Sequence, residues 1–171
     1  MKLYHVSEEP GITEFHPRPS PQKYEGIKGD LVFAVSDEML HNYLLPRECP
    51  RVTFYAKADS KQIDIETFIR NSKKKYIVNI EESWLGKIKR TDLYLYELPI
   101  ETFSLLDEGA GYYVSYEIVK PNSVLIVHNL LAEMAKRDVE IRVLSSLKQL
   151  ASEVSKSTLQ FSIIRIRNAK S

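Results

Sequence analysis

The sequence predicts one α+β domain over residues 1–171, built from antiparallel or mixed sheets with several short helices. Three observations predict this class. The chain has 171 residues, of which 43% are hydrophobic and 27% charged, as is typical of a globular chain that buries its own core. Short runs with the two-residue period of strands occur along the whole length. Strand-like and helix-like runs do not alternate strictly enough for a doubly wound sheet, and no internal repeat is present.

The N-terminal part begins with a strand at residues 2–6 and continues into a long loop. Seven Pro and Gly residues between 10 and 29 exclude long regular structure there, and loops of this length inside a domain are usually functional. The apolar run 30–35 predicts a second strand, after which Asp37 favours the start of a helix. Apolar residues at helical spacing follow, and Pro46 ends this helix.

The middle of the chain is expected to continue with short elements. Alternating apolar residues predict a strand at 51–56, and helical spacing predicts a helix within 57–71. Strands at 76–80 and 92–98 flank a short helix at 82–89.

The last third is predicted to begin irregularly, at residues 103–106. Apolar periodicity and turn residues then place strands at 112–117, 123–127 and 139–144, and helices at 129–136 and 145–157. Asn129 is the expected cap of the first of these helices. The tail at 159–167 fits a strand and a helix equally, because its apolar positions satisfy both periods in part.

Charge and cysteine content restrict the function. Lys and Arg total 24 against 23 Asp and Glu, so the net charge of +1 gives no reason to expect nucleic acid or a membrane surface as a partner. The run Lys73–Lys75 is interpreted as a solvated loop. No apolar stretch reaches membrane-spanning length and the N-terminus lacks a signal-peptide pattern, so we expect a cytoplasmic protein. The single Cys49 and four scattered histidines predict no disulfide and no metal site.

Cys49 lies between two arginines in a Pro-bounded turn. Arg47 and Arg51 favour a lowered thiol pKa, and the adjacent Glu48 opposes that effect. A cysteine nucleophile also needs a base and an oxyanion site, which the sequence does not locate. We therefore interpret Cys49 as a structural or incidental thiol.

The first strand supplies the main candidate ligand contacts. Side chains alternate between the faces of a strand, so Leu3, His5 and Ser7 share one face. A neutral imidazole can donate one hydrogen bond and accept another, which suits a ribose hydroxyl or a phosphate. The alternative is a core histidine held by the backbone. Arg47 leaves a helix end through a Pro-bounded turn, from which a guanidinium can reach an anion.

Five blocks of the sequence resemble a family of uncharacterised bacterial proteins of this length. These blocks are residues 3–9, 15–21, 42–56, 111–115 and 157–162. The resemblance spans nearly the whole chain and implies no activity.

A more distant resemblance is to the ADP-ribosyltransferase-like fold. In that fold a first strand carries His-x-Ser or His-x-Thr, a second strand leads into a helix beneath the nicotinamide, and a later strand presents a catalytic Glu. The tripeptide His5-Val6-Ser7 matches the first motif, and residues 32–37 leading into the helix with Tyr43 resemble the second. The strand beginning at Tyr112 resembles the third, with Tyr112 closest to the position of the Glu.

Tyr112 stands where the ADP-ribosyltransferase-like fold has its catalytic Glu, and the absence of a carboxylate at this position bears on the activity that the resemblance implies. Cleavage of the nicotinamide–ribose bond passes through an oxocarbenium-like state, which an anionic side chain stabilises. Tyr112 carries no full negative charge, and Glu117, five residues further on, points to the opposite face of a regular strand. Glu108 or Glu117 would reach the position of the catalytic Glu only with a different turn geometry or a bulge. The resemblance therefore implies binding of a nucleotide or dinucleotide, with NAD as a candidate, and leaves the cofactor and the catalytic residues unassigned.

Two functions are expected from these observations. The first is a pocket for a nucleotide-type or NAD-type ligand, lined by His5, Ser7, Tyr43, Arg47, Tyr112 and Tyr113. In it His5 would hold ribose or phosphate, Arg47 an anionic group and Tyr43 an aromatic ring by stacking. The alternative is a non-enzymatic interaction domain, such as a homodimer, with an aromatic contact surface formed by Tyr94, Tyr96, Tyr112, Tyr113 and Tyr116.

Overall fold

The computed structural model describes residues 1–171 and belongs to the α+β class, as the sequence predicts. The ten strands are β1 (Leu3–Ser7), β2 (Val32–Ser36), β3 (Arg51–Tyr55), β4 (Tyr76–Glu81), β5 (Leu93–Leu98), β6 (Ser104–Asp107), β7 (Tyr112–Ser115), β8 (Ser123–Val127), β9 (Val139–Leu144) and β10 (Gln160–Ile164). The α-helices are α1 (Gln62–Asp64), α2 (Leu85–Arg90), α3 (Leu130–Ala135) and α4 (Lys148–Val154). Other helical turns are 3₁₀ at Asp37–Tyr43, Glu82–Trp84 and Ile166–Asn168, and π at Ile65–Ile69. No helix among them has the length and apolar character needed to cross a bilayer.

The chain folds into two compact units. Unit 1 comprises residues 1–40 and 92–127, and unit 2 comprises residues 41–91 and 128–171. The expectation of one domain over the whole chain stays a prediction.

Unit 1 is built on a six-stranded antiparallel sheet with the strand order β6-β7-β2-β1-β5-β8. The first strand lies inside this sheet, between β2 and β5. Leu3 pairs with Ser36 on one side and with Leu98 on the other. The sheet therefore depends on pairing between segments that are far apart in the sequence.

The long N-terminal loop predicted after β1 is present and covers one face of this sheet. Beneath it lies an apolar core of buried residues: Leu3, Phe15, Val32, Ala34, Tyr96, Leu98 and Val119. The Tyr96 hydroxyl donates to the carbonyl of Glu9 at 2.7 Å and accepts from the amide of Ile12 at 3.2 Å. The amide of Phe15 donates to the carbonyl of Val119 at 2.7 Å. The Tyr96 bonds hold the loop against the sheet, and the Phe15 bond joins the loop to the segment between β7 and β8.

Unit 2 is built on a four-stranded mixed sheet with the strand order β10-β3-β4-β9, in which only β4 and β9 are parallel. Alternate residues of β3 and β4 face a core that α4 and the π-helical turn cover. Its buried residues are Val52, Phe54, Ile69, Ile77, Leu147, Ala151, Val154, Leu159 and Ala169. The helical period of residues 147–154 is thus explained by burial of one side of α4.

Several elements confirm the sequence expectations closely. The strand at 123–127 is β8, and the strand at 139–144 is β9. Asn129 caps α3 as expected, since its side-chain oxygen accepts from the amide of Ala132 at 3.0 Å. The tail, which fitted either a strand or a helix, forms the strand β10 and then a 3₁₀ turn.

Other elements differ from expectation. Residues 103–106 were expected to be irregular, but β6 pairs antiparallel with β7, with a bulge between Leu105 and Asp107. Three of its four residues are exposed, so the strand has no buried face to produce an apolar period. The strand expected at 112–117 ends at Ser115. The helix expected within 57–71 is only α1 and one π-helical turn, and the Arg142 guanidinium donates to the carbonyls of Phe68 and Ile69 at the end of that turn.

Candidate functional site

The first strand presents its imidazole and its hydroxyl on one face, as the sequence predicts. His5 lies opposite Tyr96, and Ser7 lies opposite Tyr94, in the antiparallel pairing of β1 with β5. Directly opposed residues share a face, so two tyrosines of β5 stand beside these two polar groups. Both His5 and Ser7 are half-buried.

Tyr113 lies on this same face of the sheet. Leu3 pairs with Ser36, so Ala34, two residues from Ser36, also shares the face of His5. Ala34 in turn pairs with Tyr113. The structure therefore brings three of the predicted site residues of unit 1 to one face, with a small residue between the histidine and the tyrosine.

The ring of His5 is held by the backbone and by an aromatic neighbour. Its Nδ1 lies 3.1 Å from the carbonyl oxygen of Phe33. A carbonyl oxygen only accepts hydrogen bonds, so Nδ1 carries the hydrogen and this contact fixes the ring orientation. The ring of Phe15, which is buried, lies 4.5 Å from the imidazole centre to centre. These contacts match the alternative that the sequence left open, namely a histidine held by the backbone.

Ser7 makes a local contact at the end of β1. Its Oγ accepts a hydrogen bond from the amide of Glu9 at 3.0 Å. This bond forms a small turn that directs the chain into the N-terminal loop.

Tyr112 points to the other face of the sheet. Adjacent strand residues have opposite side-chain directions, and Tyr112 pairs with Val35 while Tyr113 pairs with Ala34. The structure therefore does not bring Tyr112 to the face of His5, so of the two tyrosines expected in the pocket lining only Tyr113 shares that face.

The N-terminal loop also approaches the other face of the sheet, to which Tyr112 points. Tyr24 lies with its ring 6.2 Å from the ring of Phe33, centre to centre. Burial raises the pKa of Tyr24, and the neighbouring Tyr112 and Asp107 add to this effect. An open groove lies along the loop, lined by Pro19, Ser20, Gln22, Lys23, Tyr24, Ile27, Gly29 and Asp30.

The two remaining predicted site residues, Tyr43 and Arg47, belong to unit 2. Tyr43 ends the first 3₁₀ turn and is half-buried, whereas Arg47 is exposed. The guanidinium carbon of a third residue, Arg51, lies 6.0 Å from the centre of the Tyr43 ring. This distance is at the limit of a cation–π contact.

Arg51 is the residue near this turn whose role the sequence analysis missed. It is buried, and its Nε donates to the carbonyl of Asn42 at 3.1 Å. Its Nη1 donates to the carbonyls of Pro46 and Cys49 at 3.2 and 2.7 Å. Pro46 and Pro50 supply no amide donors, so this turn has fewer backbone donors than carbonyls, but that pattern does not distinguish Arg51 from Arg47.

Cys49 is confirmed to sit in a buried position rather than a reactive one. Burial raises its pKa to about 12, partly opposed by the nearby Arg51 and reinforced by Glu81. Its thiol lies 3.5 Å from the carbonyl of Pro50. A thiol with such a pKa stays protonated at neutral pH, and the effect of burial outweighs that of Arg51.

Glu48 ties the same turn to the end of unit 2. Asn168 donates to the Glu48 backbone carbonyl at 2.7 Å and to its carboxylate at 3.1 Å. Arg165 and Arg167 lie 3.3 and 3.4 Å from this carboxylate. The Asn168 hydrogen bond, followed by the two guanidinium charges, lowers the pKa of Glu48.

A second carboxylate in unit 2, Glu81, is completely buried. The backbone amide of Lys170 lies 3.0 Å from each of its two carboxyl oxygens. The contacts of Glu48 and Glu81 together show that the stretch 165–170 is an integral part of unit 2. The turn that contains Arg47, Glu48 and Cys49 is thus held by Arg51 and by the contacts of Glu48 with Asn168.

The candidate carboxylates of unit 1 lie outside the face that His5 shares. Glu117 is exposed and follows the end of β7, where its amide donates to the Ser115 hydroxyl at 3.2 Å. Glu108 is exposed in the turn between β6 and β7. Neither belongs to a strand position of that face.

The five tyrosines of the expected aromatic contact surface differ in their exposure. Tyr96 is buried in the core of unit 1, and Tyr94, Tyr112 and Tyr113 are half-buried. Only Tyr116, beyond the end of β7, is mostly exposed. Four of the five tyrosines are thus at least half-buried within the unit, and the interaction hypothesis stays a prediction.

The fold and the site define an α+β protein whose antiparallel sheet presents a histidine and a serine beneath an N-terminal loop. The chain matches the model of a family of unknown function, DUF6886, over residues 4–169, and it belongs to that family. No curated protein and no solved structure matches the chain. Membership of an uncharacterised family was expected from the sequence, and the resemblance to ADP-ribosyltransferases stays a hypothesis.

Proposed function

We propose that unit 1 binds a nucleotide-type or NAD-type ligand through the face that carries His5, Ser7 and Tyr113. The supporting observation is that these three polar side chains share one face and each keeps part of its surface accessible. The apolar neighbours Ala34 and Tyr96 on the same face are buried. Ligand sites combine a mostly apolar wall with a few oriented polar groups in this way.

His5 has the central role in this proposal. The contact with the Phe33 carbonyl assigns the hydrogen to Nδ1, so in the neutral ring Nε2 is the accepting nitrogen. An accepting nitrogen suits a ribose hydroxyl as donor. Phe15 covers one side of the ring, so a ligand would meet the remaining exposed part of His5.

Binding, rather than transfer of ADP-ribose, is the activity that we propose. Stabilisation of an oxocarbenium-like state requires an anionic group near the ribose. The candidate carboxylates Glu108 and Glu117 lie outside the shared face. The polar groups proposed for the site are an imidazole, a hydroxyl and a phenol, which orient a ligand and supply no full negative charge.

In unit 2 we retain Tyr43 and Arg47 as separate candidate contacts for an aromatic ring and an anion. Tyr43 is half-buried beside the guanidinium of Arg51, and Arg47 is exposed on the neighbouring turn. Each is to be tested by its own substitution, Tyr43→Ala and Arg47→Ala, in the same ligand screen.

A thermal-shift screen tests the proposal. NAD, ADP-ribose and common nucleotides at millimolar concentration are each added to the whole protein, and a ligand at 100 times its Kd should add about 2.7 kcal/mol to the free energy of unfolding. We expect His5→Ala to abolish the shift. The matched control is His16→Ala, because the His16 side chain is largely exposed and is bound by Glu14 at 2.9 Å.

Two results would contradict the proposal. One is the absence of a shift with every compound in the screen, and the other is a shift that survives unchanged in both His5→Ala and Ser7→Ala. A separate measurement of nicotinamide release from NAD distinguishes an enzyme from a binding protein.

A further inference from the structure

The last strand of the unit 1 sheet, β8, is an open apolar edge. It pairs with β5 on one side and ends the sheet on the other. Val124, Leu125 and Ile126 are exposed by 51%, 56% and 46%. Consecutive strand residues point to opposite faces, so β8 is accessible on both faces. An edge strand also presents backbone amides and carbonyls that can pair with another strand.

The other edge strands are protected in ways that β8 is not. At the opposite edge of the same sheet, β6 has a bulge between Leu105 and Asp107. In unit 2, β9 carries the charges of Glu140 and Arg142, and β10 is half-buried at every position except Phe161. Natural proteins prevent edge pairing with bulges, charges and cover. β8 has neither a bulge nor a charged residue.

The segment around β8 is also free of formal charge. Residues 121–132 contain no Asp, Glu, Lys or Arg, in a chain that is 27% charged. A strongly charged partner would therefore find no complementary group here, whereas a second copy of the same strand would meet no like charge. Electrostatics therefore favours an uncharged partner, and a second copy of this segment is such a partner.

We propose that β8 pairs antiparallel with β8 of a second copy, with Leu125 opposite Leu125. This register places Val124 opposite Ile126 and Ser123 opposite Val127, so all the exposed apolar side chains of the strand gain apolar neighbours. The arrangement is a self-complementary twofold contact that joins two six-stranded sheets edge to edge. It is independent of the ligand site, because it uses neither His5 nor Ser7.

The size of the strand sets the expected strength. β8 has five residues and is about 17 Å long. Standard interfaces contain about 20–30 residues on each side. The dimer is therefore expected to be weak and to depend strongly on protein concentration.

Sedimentation equilibrium over a range of protein concentrations tests the association. We expect a monomer–dimer equilibrium, and at least a tenfold weaker association for Leu125→Lys, since two lysines would then face each other. The matched control is Val143→Lys on the edge strand β9, where Val143 is 47% exposed. Monomer at every concentration, or weakening by Val143→Lys and not by Leu125→Lys, would overturn the proposal.

Cysteine cross-linking tests the register and is independent of how well the lysine variant folds. The only native cysteine, Cys49, is buried, so an introduced cysteine is the sole accessible thiol. Leu125→Cys should give a disulfide-linked dimer under mild oxidation, because directly opposed Cβ atoms lie about 4.5–5.5 Å apart. Ser123→Cys should not, since its two copies would be about 14 Å apart along the strands, beyond the ~7 Å Cα limit of a disulfide. No cross-linking at position 125, or equal cross-linking at both positions, would contradict the register.

Discussion

The amide of Ser36 donates to the carbonyl of Gly111 at 2.8 Å, which ties the end of β2 to the turn before β7. Gly111 has a φ of +65°, and a Cβ atom placed there would lie 2.5 Å from the Ser36 hydroxyl oxygen and 2.7 Å from Cγ of Met39. Both the backbone conformation and the space therefore require glycine at this position.

The first prediction concerns Gly111→Ala. We expect the free energy of unfolding to fall by about 2 kcal/mol or more, because left-handed strain and a steric clash act together. Urea denaturation measures the loss. The control is Gly26→Ala, where φ is +75° but no atom lies within 4 Å of the added Cβ, so only the strain of about 1 kcal/mol should remain. Equal losses in the two variants would show that the clash is relieved without cost.

The second prediction concerns the buried guanidinium of unit 2. Arg51→Met should lower the free energy of unfolding by about 2–6 kcal/mol, since the carbonyls of Asn42 and Cys49 would lose the Arg51 donor, at ~1–3 kcal/mol for each group left unsatisfied and buried. The Pro46 carbonyl keeps the amide of Cys49 as a donor at 2.9 Å. Arg47→Met makes the same change at an exposed position and should stay within about 0.5 kcal/mol. A chemical denaturation curve for each variant gives the comparison. If Arg47→Met proves the more damaging, the assignment of Arg51 as the anchor of the turn is wrong.

The third prediction concerns the reactivity of Cys49. Its thiol has a pKa of about 12 and is buried, so at pH 8 it should react with Ellman's reagent only after unfolding. The absorbance of the released thiolate, followed in buffer and in concentrated urea, measures both states. Rapid stoichiometric reaction of the folded protein would contradict both the burial and the direction of the pKa.

The fourth prediction concerns stability at acid pH. The side chain of Thr158 donates to Asp64 at 2.6 Å and its amide donates at 2.8 Å, and these hydrogen bonds lower the pKa of Asp64 below its ordinary 3.8. A carboxyl group with a lowered pKa in the folded state contributes stability above its ordinary pKa and loses that contribution as the pH falls through the lowered value.

Asp64→Asn should therefore flatten the fall in stability below about pH 3.8, as well as destabilise the protein at neutral pH. Unfolding free energies between pH 2 and 6 provide the test. Asp59→Asn is the control, because its side chain is largely exposed and makes only an ion pair with Lys57 at 3.5 Å. Identical pH profiles for wild type and Asp64→Asn would exclude the proposed linkage.

The sequence predicted part of the unit 1 site because strand geometry is local. Alternation placed His5 and Ser7 on one face, and the pairing with β5 confirms it. The same rule separates Tyr112 from Tyr113, since neighbouring strand residues diverge. Only one of the two tyrosines expected in the pocket lining can therefore share the face of His5.

Other features could not be predicted because they depend on long-range packing. Arg47 and Arg51 have similar local sequences, and the folded chain decides that only Arg51 is buried against the carbonyls of the turn. The strand β6 has mostly exposed residues, so its pairing with β7 left no period in the sequence. Lys170 and Glu81 are 89 positions apart, and no local pattern connects them.

The composition of each unit from two separate stretches has a consequence for genetic dissection. The backbone passes between the units after Leu40, after Thr91 and after Val127. A fragment that ends at Thr91 retains β1 but lacks β5, its partner in the central pairing of the sheet. No single truncation can therefore isolate either half. Producing unit 1 alone would require excision of an internal stretch and a new linker from Leu40 to Asp92.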